Sequence, residues 1–177
     1  VLPHAAGAYE TIAPVNNRIS ALYKTSLDLA GIPVDAVRET LEARLLDAMT
    51  ERRREEVARG VTLVGPQRDD ITLSIGELPA KGYASHGESW SLALALKLGG
   101  FALVRSDGIE PVLVLDDVFS ELDAIRRERL AGAVADAEQV LITAAVGADV
   151  PDFPSARRFR VQGGAVEPVE ELEVADD

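Results

Sequence analysis

Two adjacent carboxylates follow the most strand-like segment of the sequence. Pro111–Leu115 is apolar and rich in β-branched residues, which predicts a strand covered on both faces of a sheet, and Asp116 and Asp117 come directly after it. Ligands of open α/β sheets bind at the carboxyl ends of strands. There Asp116 could be a hard oxygen ligand of Mg²⁺, and Asp117 could orient or deprotonate an attacking water. The alternative is a plain turn that begins with two aspartates.

A second motif opens an apolar helix. The run Ser85-His86-Gly87-Glu88-Ser89 lies just before Leu92–Val104, whose composition predicts a mostly buried helix. A serine, a glycine and free backbone N–H groups at a helix N-terminus form an anion site, where the helix dipole contributes about half a unit of positive charge. The alternative is an ordinary N-cap serine followed by a glycine.

The elements that must position these motifs alternate between strands and helices. This alternation predicts an α/β fold with a largely parallel sheet flanked by helices. Beyond the segments already named, we expect strands at Val61–Val64, Ile71–Ile75 and Gln139–Thr143, a helix at Ala124–Ala137, and a closing hairpin of Arg157–Gln162 with Ala165–Val169.

The N-terminal third has a different pattern. Apolar residues at three- and four-residue steps predict a helix from Pro33 to Gly60, about 27 residues and roughly 40 Å long. Its second half is so rich in charge that we expect it to project from the body. A shorter helical stretch is expected over Asn16–Leu29. We therefore divide the chain into a helical arm or lid (1–60), a head (61–163) and an acidic tail (164–177).

Composition narrows the classes of function. The chain has 177 residues, 47% of them hydrophobic, and no cysteine, which fits a globular protein and argues against disulfides and thiolate metal sites. The two histidines are far apart, which makes a zinc centre built on them improbable. We expect a cytoplasmic protein with no membrane segment. The net charge of −12 means that any contact with nucleic acid must be local.

The order of the motifs resembles the C-terminal half of an ABC ATPase head. Ser85-x-Gly87 resembles the ABC signature, and Val112–Asp117 resembles Walker B. The D-loop and the switch residue have counterparts in Ser-Glu-Leu-Asp at 120–123 and in Thr143. Within that superfamily, Leu113–Asp123 (LVLDDVFSELD) and Thr62–Asp70 (TLVGPQRDD) are similar to blocks of the RecF family.

The resemblance implies a P-loop NTPase head of the ABC type, in which two subunits sandwich two ATP molecules. It implies that Asp116 binds Mg²⁺ and that Asp117 and Thr143 act in hydrolysis. It also implies that Ser85, Gly87 and the Glu88 backbone touch the γ-phosphate of the partner's ATP. Ser120 and Asp123 are implied to couple the two sites.

The family resemblance also implies a biological role. RecF-like proteins recognise gapped DNA and single/double-strand junctions, and they work with RecR and RecO in loading recombinase. ATP would drive head dimerisation, and hydrolysis would be slow because Asp117 stands where most ABC ATPases have glutamate. The alternatives are another ABC-type head, such as an SMC-like protein or a transporter motor, and a non-catalytic fragment that binds a partner.

Two departures from the family pattern bear on these expectations. Gln67 stands where histidine is more usual. No G-x-x-x-x-G-K-[ST] motif occurs in the sequence. We therefore expect the chain to be the C-terminal part of a longer protein, and to be inactive as an ATPase by itself.

Overall fold

The computed structural model describes residues 1–13, 15, 18–29, 32 and 38–169. These residues form five α-helices and seven β-strands, with short 3-10 turns between some of them. In chain order the elements are α1 (Leu2–Ile12), β1 (Ile19–Lys24), α2 (Arg38–Arg59), β2 (Asp70–Ile75), β3 (Leu78–Pro79), α3 (Ala80–Tyr83), α4 (His86–Ser106), β4 (Leu113–Asp116), α5 (Ala124–Val134), β5 (Val140–Thr143), β6 (Phe159–Gln162) and β7 (Ala165–Pro168). No helix among the described residues is long and apolar enough to cross a lipid bilayer.

The parallel strand pair predicted around the carboxylates is confirmed. β4 and β5 pair in parallel, with Leu113 opposite Val140 and Asp116 opposite Thr143. Leu115 and its neighbours on one face pack into a core with residues of α4 and α5, including Leu98 and Leu130. The helices predicted at Leu92–Val104 and Ala124–Ala137 correspond to α4 and α5, and α4 begins six residues earlier than predicted, at His86.

Helix α1 was not predicted, yet it is central to the packing. Its buried residues Ala5, Tyr9 and Ile12 follow a helical spacing and face α4 and α5. Gly99 of α4 allows the closest approach, because a Cβ added there would lie 2.6 Å from the backbone nitrogen of Ala5. Residues 2–12 thus share a core with the predicted head, while the division of the chain at residue 60 remains a prediction.

Two local predictions were wrong. The helical stretch expected over Asn16–Leu29 is instead strand β1, which pairs antiparallel with β2; Asn16 and Asn17 lie outside the described residues. The strand expected at Val61–Val64 does not form. In this stretch the Leu63 N–H donates to the Glu56 carboxylate at 2.7 Å, as it would otherwise donate to a neighbouring strand.

The Gly65–Asp70 block joins α2 to the antiparallel sheet β1-β2-β3. The Gln67 side-chain amide donates to the hydroxyl of Thr62 and to the carbonyl of Val64, both at 3.1 Å. Asp69 accepts from the Tyr23 hydroxyl, and its other oxygen accepts from the Ser26 N–H at 2.9 Å. The glutamine that departs from the family pattern therefore has a structural role within its own loop.

The remaining predictions concern the arm helix and the closing hairpin. Of the helix expected from Pro33 to Gly60, the structure describes α2, Arg38–Arg59, while residues 33–37 lie outside the described part. α2 is exposed along nearly its whole length, as expected of a projecting helix. The hairpin is confirmed as β6 and β7, which pair antiparallel. In the acidic tail, residues 170–177 are likewise not described.

Candidate functional site

The carboxyl ends of β4 and β5 bring Asp116 and Thr143 side by side. Both side chains point to the exposed face, because the inward positions of these strands are taken by Leu115 and Ile142. The Thr143 hydroxyl donates to the Asp116 carboxylate. Parallel pairing in this register therefore creates a small polar site at the edge of the sheet, where ligands of α/β proteins bind.

Asp117 turns the chain sharply at this edge. It has a left-handed backbone with φ of 52°, the only positive φ of a non-glycine residue in the described part of the chain. Aspartate tolerates this conformation better than most residues. Its N–H lies 3.1 Å from the Thr143 carbonyl oxygen and 3.2 Å from the Thr143 hydroxyl oxygen. Asp117 is exposed at this turn, one residue after Asp116.

The donor set at this edge fits a magnesium ion. Mg²⁺ takes oxygen ligands, commonly one or two carboxylates completed by waters and phosphate oxygens. Asp116 provides an exposed carboxylate, and the Thr143 hydroxyl beside it is a further oxygen. When bound, such an ion would offset the negative charge of phosphate groups, and Asp116 would be the protein residue that holds it.

The signature-like turn, Ser85–Glu88, begins α4 with a complete capping box. The Ser85 hydroxyl oxygen accepts from the Glu88 N–H at 3.3 Å, and the Glu88 carboxylate accepts from the Ser85 N–H at 2.9 Å and from its hydroxyl at 2.8 Å. The Glu88 carboxylate is thus bonded to both the backbone and the hydroxyl of Ser85. The Ser85 hydroxyl must turn away from Glu88 before it can donate to a phosphate.

The D-loop-like segment, Ser120–Asp123, lies next to that turn. Ser120 donates its hydroxyl to the Asp117 carbonyl at 2.8 Å, and Asp123 caps α5 by accepting from the Arg126 N–H at 3.0 Å. This backbone bond and the Arg126 guanidinium hold the pKa of Asp123 below its usual value, against the opposing effect of burial. His86 and Glu121 approach to 3.4 Å, which places the two segments side by side.

The eight predicted site residues therefore fall into two linked groups. Hydrogen bonds connect Asp116, Asp117, Thr143 and Ser120 at the sheet edge. The second group comprises Ser85, Gly87, Glu88 and Asp123, at the starts of α4 and α5. Their catalytic and binding roles remain predictions.

Sequence reasoning missed Arg126, a residue in the first turn of α5 whose side chain reaches the start of α4. Its guanidinium pairs with the Asp123 carboxylate and lies 3.7 Å from where a Cβ on Gly87 would be. The three-residue spacing from Asp123 is a readable signal for the ion pair. No comparable signal links Arg126 to Gly87, since that contact depends on how α4 and α5 pack.

Comparison with curated proteins finds relatives along nearly the whole chain. The chain is 59% identical to the "DNA replication and repair protein RecF" of Cutibacterium acnes, 55% identical to that of Streptomyces avermitilis and 50% identical to that of Beutenbergia cavernae. These alignments cover 93–94% of the chain but only 44–46% of each relative, so the chain spans less than half their length. No family model matches the chain.

Solved structures agree on the fold. Two structures of the recombination mediator protein RecF in the RecFOR pathway, designated RecF-ATPrS and RecF-ATP, superpose with TM-scores of 0.72 and 0.71. Each match covers 96% of this chain and 44% of the other, at 24% sequence identity. The fold is therefore that of the corresponding part of these two RecF structures.

Proposed function

The chain belongs to the RecF family, and we propose that it supplies half of a composite ATP site in a DNA-binding recombination mediator. The whole protein would act in gap repair and recombinase loading, in the cytoplasm, together with RecR- and RecO-like mediators. In this proposal residues 1–60 form an arm, 61–163 the head and 164–177 an acidic tail. All three relatives are RecF proteins, which favours this role over a transporter motor or another type of ABC head.

One observation carries the proposal: an exposed carboxylate and a hydroxyl meet at the end of a parallel strand pair, one residue before a second carboxylate. Asp116 would hold Mg²⁺ beside the phosphates of ATP. Asp117 would accept a proton from the attacking water, because its carboxylate is exposed at the same edge. Thr143 would orient Asp116 through the hydrogen bond that joins them.

The start of α4 would serve the ATP of a second subunit. Its first-turn N–H groups have no carbonyl partners within the helix, and the helix dipole favours an anion there. Ser85, Gly87 and the Glu88 backbone would contact the γ-phosphate, and Ser120 and Asp123 would couple the two sites across the interface. ATP would then stabilise the dimer by binding both subunits at once, and hydrolysis would release it.

Asp117→Asn in the full-length protein tests the catalytic half of this proposal. The amide keeps the size of the side chain but cannot accept the proton, so we expect ATP turnover to be abolished while ATP-driven dimerisation is retained. Turnover is measured at saturating ATP, and dimerisation by analytical ultracentrifugation. Turnover close to that of the unmodified protein would remove Asp117 as the base.

Ser85→Arg tests the other half. A bulky cation at the start of α4 would block the approach of a second subunit without touching the edge that carries Asp116. We expect unchanged nucleotide affinity of the monomer and loss of the dimer formed with a slowly hydrolysed ATP analogue. Equilibrium dialysis of ATP against the 177-residue chain alone is a further test. Tight binding would contradict the proposal that this chain supplies only half of the ATP site.

A further inference from the structure

Two consecutive arginines in the first turn of α5 hold the D-loop-like segment from two sides. Consecutive helical residues point about 100° apart, so Arg126 and Arg127 reach different neighbours. Arg126 extends toward the signature-like turn, and Arg127 extends toward the residues that follow β5. Each arginine has a carboxylate partner, in Asp123 and Asp149 respectively.

Of the two arginines, Arg126 has the less exposed side chain. Only 18% of its side chain is exposed, and its guanidinium lies against Gly87 while pairing with Asp123. Burial and the Glu88 carboxylate raise the pKa of Tyr9 in α1, and the Arg126 cation opposes them. One guanidinium therefore lies beside both segments that the proposed function assigns to the partner-facing surface.

The link between His86 and Glu121 across the same two segments is weaker. The His86 side chain is 80% exposed and the closest approach is 3.4 Å, whereas Arg126 is shielded from water. Exposed ion pairs contribute little, while a shielded guanidinium has a fixed planar geometry and loses less to solvent screening. Arg126 is thus the less exposed of the two groups that lie beside both segments.

Arg127 ties the far end of the D-loop-like segment. Its Nε donates to the carbonyl of Leu122 at 2.8 Å, and its guanidinium pairs with Asp149 at 2.9 Å. Asp149 lies in the turn Gly147–Asp149 that follows the strand ending in Thr143. The D-loop-like segment is therefore connected on one side to the signature-like turn and on the other to the strand at the sheet edge.

We propose that Arg126 is a positioning residue that keeps Gly87 and Asp123 in a fixed arrangement, so that the signature-like turn and the D-loop-like segment meet a second subunit as one surface. This inference rests on the proposed ATP-dependent dimer and adds a residue that no motif contains. The nucleotide bound at the sheet edge of the same subunit does not need Arg126. Removing the guanidinium therefore weakens dimerisation and leaves nucleotide binding to the monomer unchanged.

Arg126→Gln in the full-length protein is compared with Arg129→Gln, a matched control on the same helix. Arg129 donates to the Ala13 carbonyl at 2.9 Å and so ties α5 to the end of α1. With a slowly hydrolysed ATP analogue, we expect R126Q to raise the dimer dissociation constant on the order of tenfold, because segments that are no longer preorganised must be ordered when the two subunits associate. R129Q should leave this constant within about twofold of the unmodified protein.

Nucleotide affinity of the monomer and thermal stability are measured for every variant. Arg126→Lys keeps the charge near Asp123 but lacks the planar group against Gly87, so we expect a dimer constant between those of the unmodified protein and R126Q. If R126K and the unmodified protein have equal dimer dissociation constants, the role of the Gly87 contact is refuted. If R126Q and R129Q have equal dimer dissociation constants, the inference itself is refuted. If the unmodified protein does not dimerise with ATP, the proposed function fails first and this inference fails with it.

Discussion

Replacing Gly99 with alanine tests the packing that holds the signature-like turn in place. A Cβ there would lie 2.6 Å from the nitrogen and 2.8 Å from the Cα of Ala5, which are backbone atoms that cannot move aside alone. Forcing extra volume into such a contact costs about 1–3 kcal/mol. Alanine also favours the helix by about 1 kcal/mol over glycine, which partly offsets that cost.

Gly100 is the matched control for this experiment. It is the next residue of α4, and a Cβ added there meets nothing within 4 Å. Both variants gain the same helix propensity, so the difference between them isolates the contact with α1. A difference of about 2 kcal/mol corresponds to about 6 °C in melting temperature for a protein of this size.

We expect Gly99→Ala to melt below Gly100→Ala by about this amount, as measured by calorimetry or by urea denaturation followed by circular dichroism. Gly100→Ala should be at least as stable as the unmodified protein. Equal melting temperatures for the two variants would refute the close approach of α1 to α4. They would also remove the reason for counting residues 2–12 as part of the head's core.

Three further outcomes follow from contacts described above. The hydrogen bond from Tyr23 lowers the pKa of Asp69 and raises that of Tyr23. This hydrogen bond therefore stabilises the folded protein between pH values of about 4 and 10, which are the pKa values of the two groups in the unfolded chain. The stabilisation is lost as pH falls through the lowered pKa of Asp69 or rises through the raised pKa of Tyr23. Urea titrations of Tyr23→Phe and the unmodified protein should converge at both extremes of pH, and a constant gap would contradict this. Leu130→Ala should cost about 2–5 kcal/mol in urea denaturation, because Leu130 is fully buried; a loss below 1 kcal/mol would mean that its core position is wrong. Ser85→Ala removes a helix cap and should cost about 1 kcal/mol in thermal denaturation, whereas an unchanged melting temperature would argue against the capping box with Glu88.

The sequence was most informative where burial and local pattern agree. β4 and β5 are short apolar runs and α4 is a long one, so their types, their parallel pairing and the exposed position of Asp116 could all be predicted. The same reasoning failed at Val61–Val64, whose residues favour a strand. Instead, the Glu56 carboxylate accepts from the Leu63 N–H and the Gln67 amide donates to the Val64 carbonyl.

The N-terminal elements α1 and β1 were not predicted, for a different reason. α1 contains Pro3 and Gly7, which weaken a helix prediction, and its buried face uses a small residue, Ala5, that gives little hydrophobic signal. Its helical form is stabilised by packing against α4, where Gly99 makes room for it. β1 likewise has no clear alternation, and its pairing with β2 decides its conformation.

The residues of the proposed site also differ in how well the sequence predicts them. Groups that would face a ligand, such as Asp116 and Ser85, lie at the ends of strongly patterned elements, and their chemistry can be inferred from residue type and order. Groups that hold those ends together cannot, because their contacts join segments distant in sequence. Arg126 illustrates this: in sequence it is one more charge in the first turn of a helix, and its partner Gly87 has no side chain to suggest a contact. A substitution at Arg126 should therefore affect assembly of the proposed dimer while every recognisable motif stays intact.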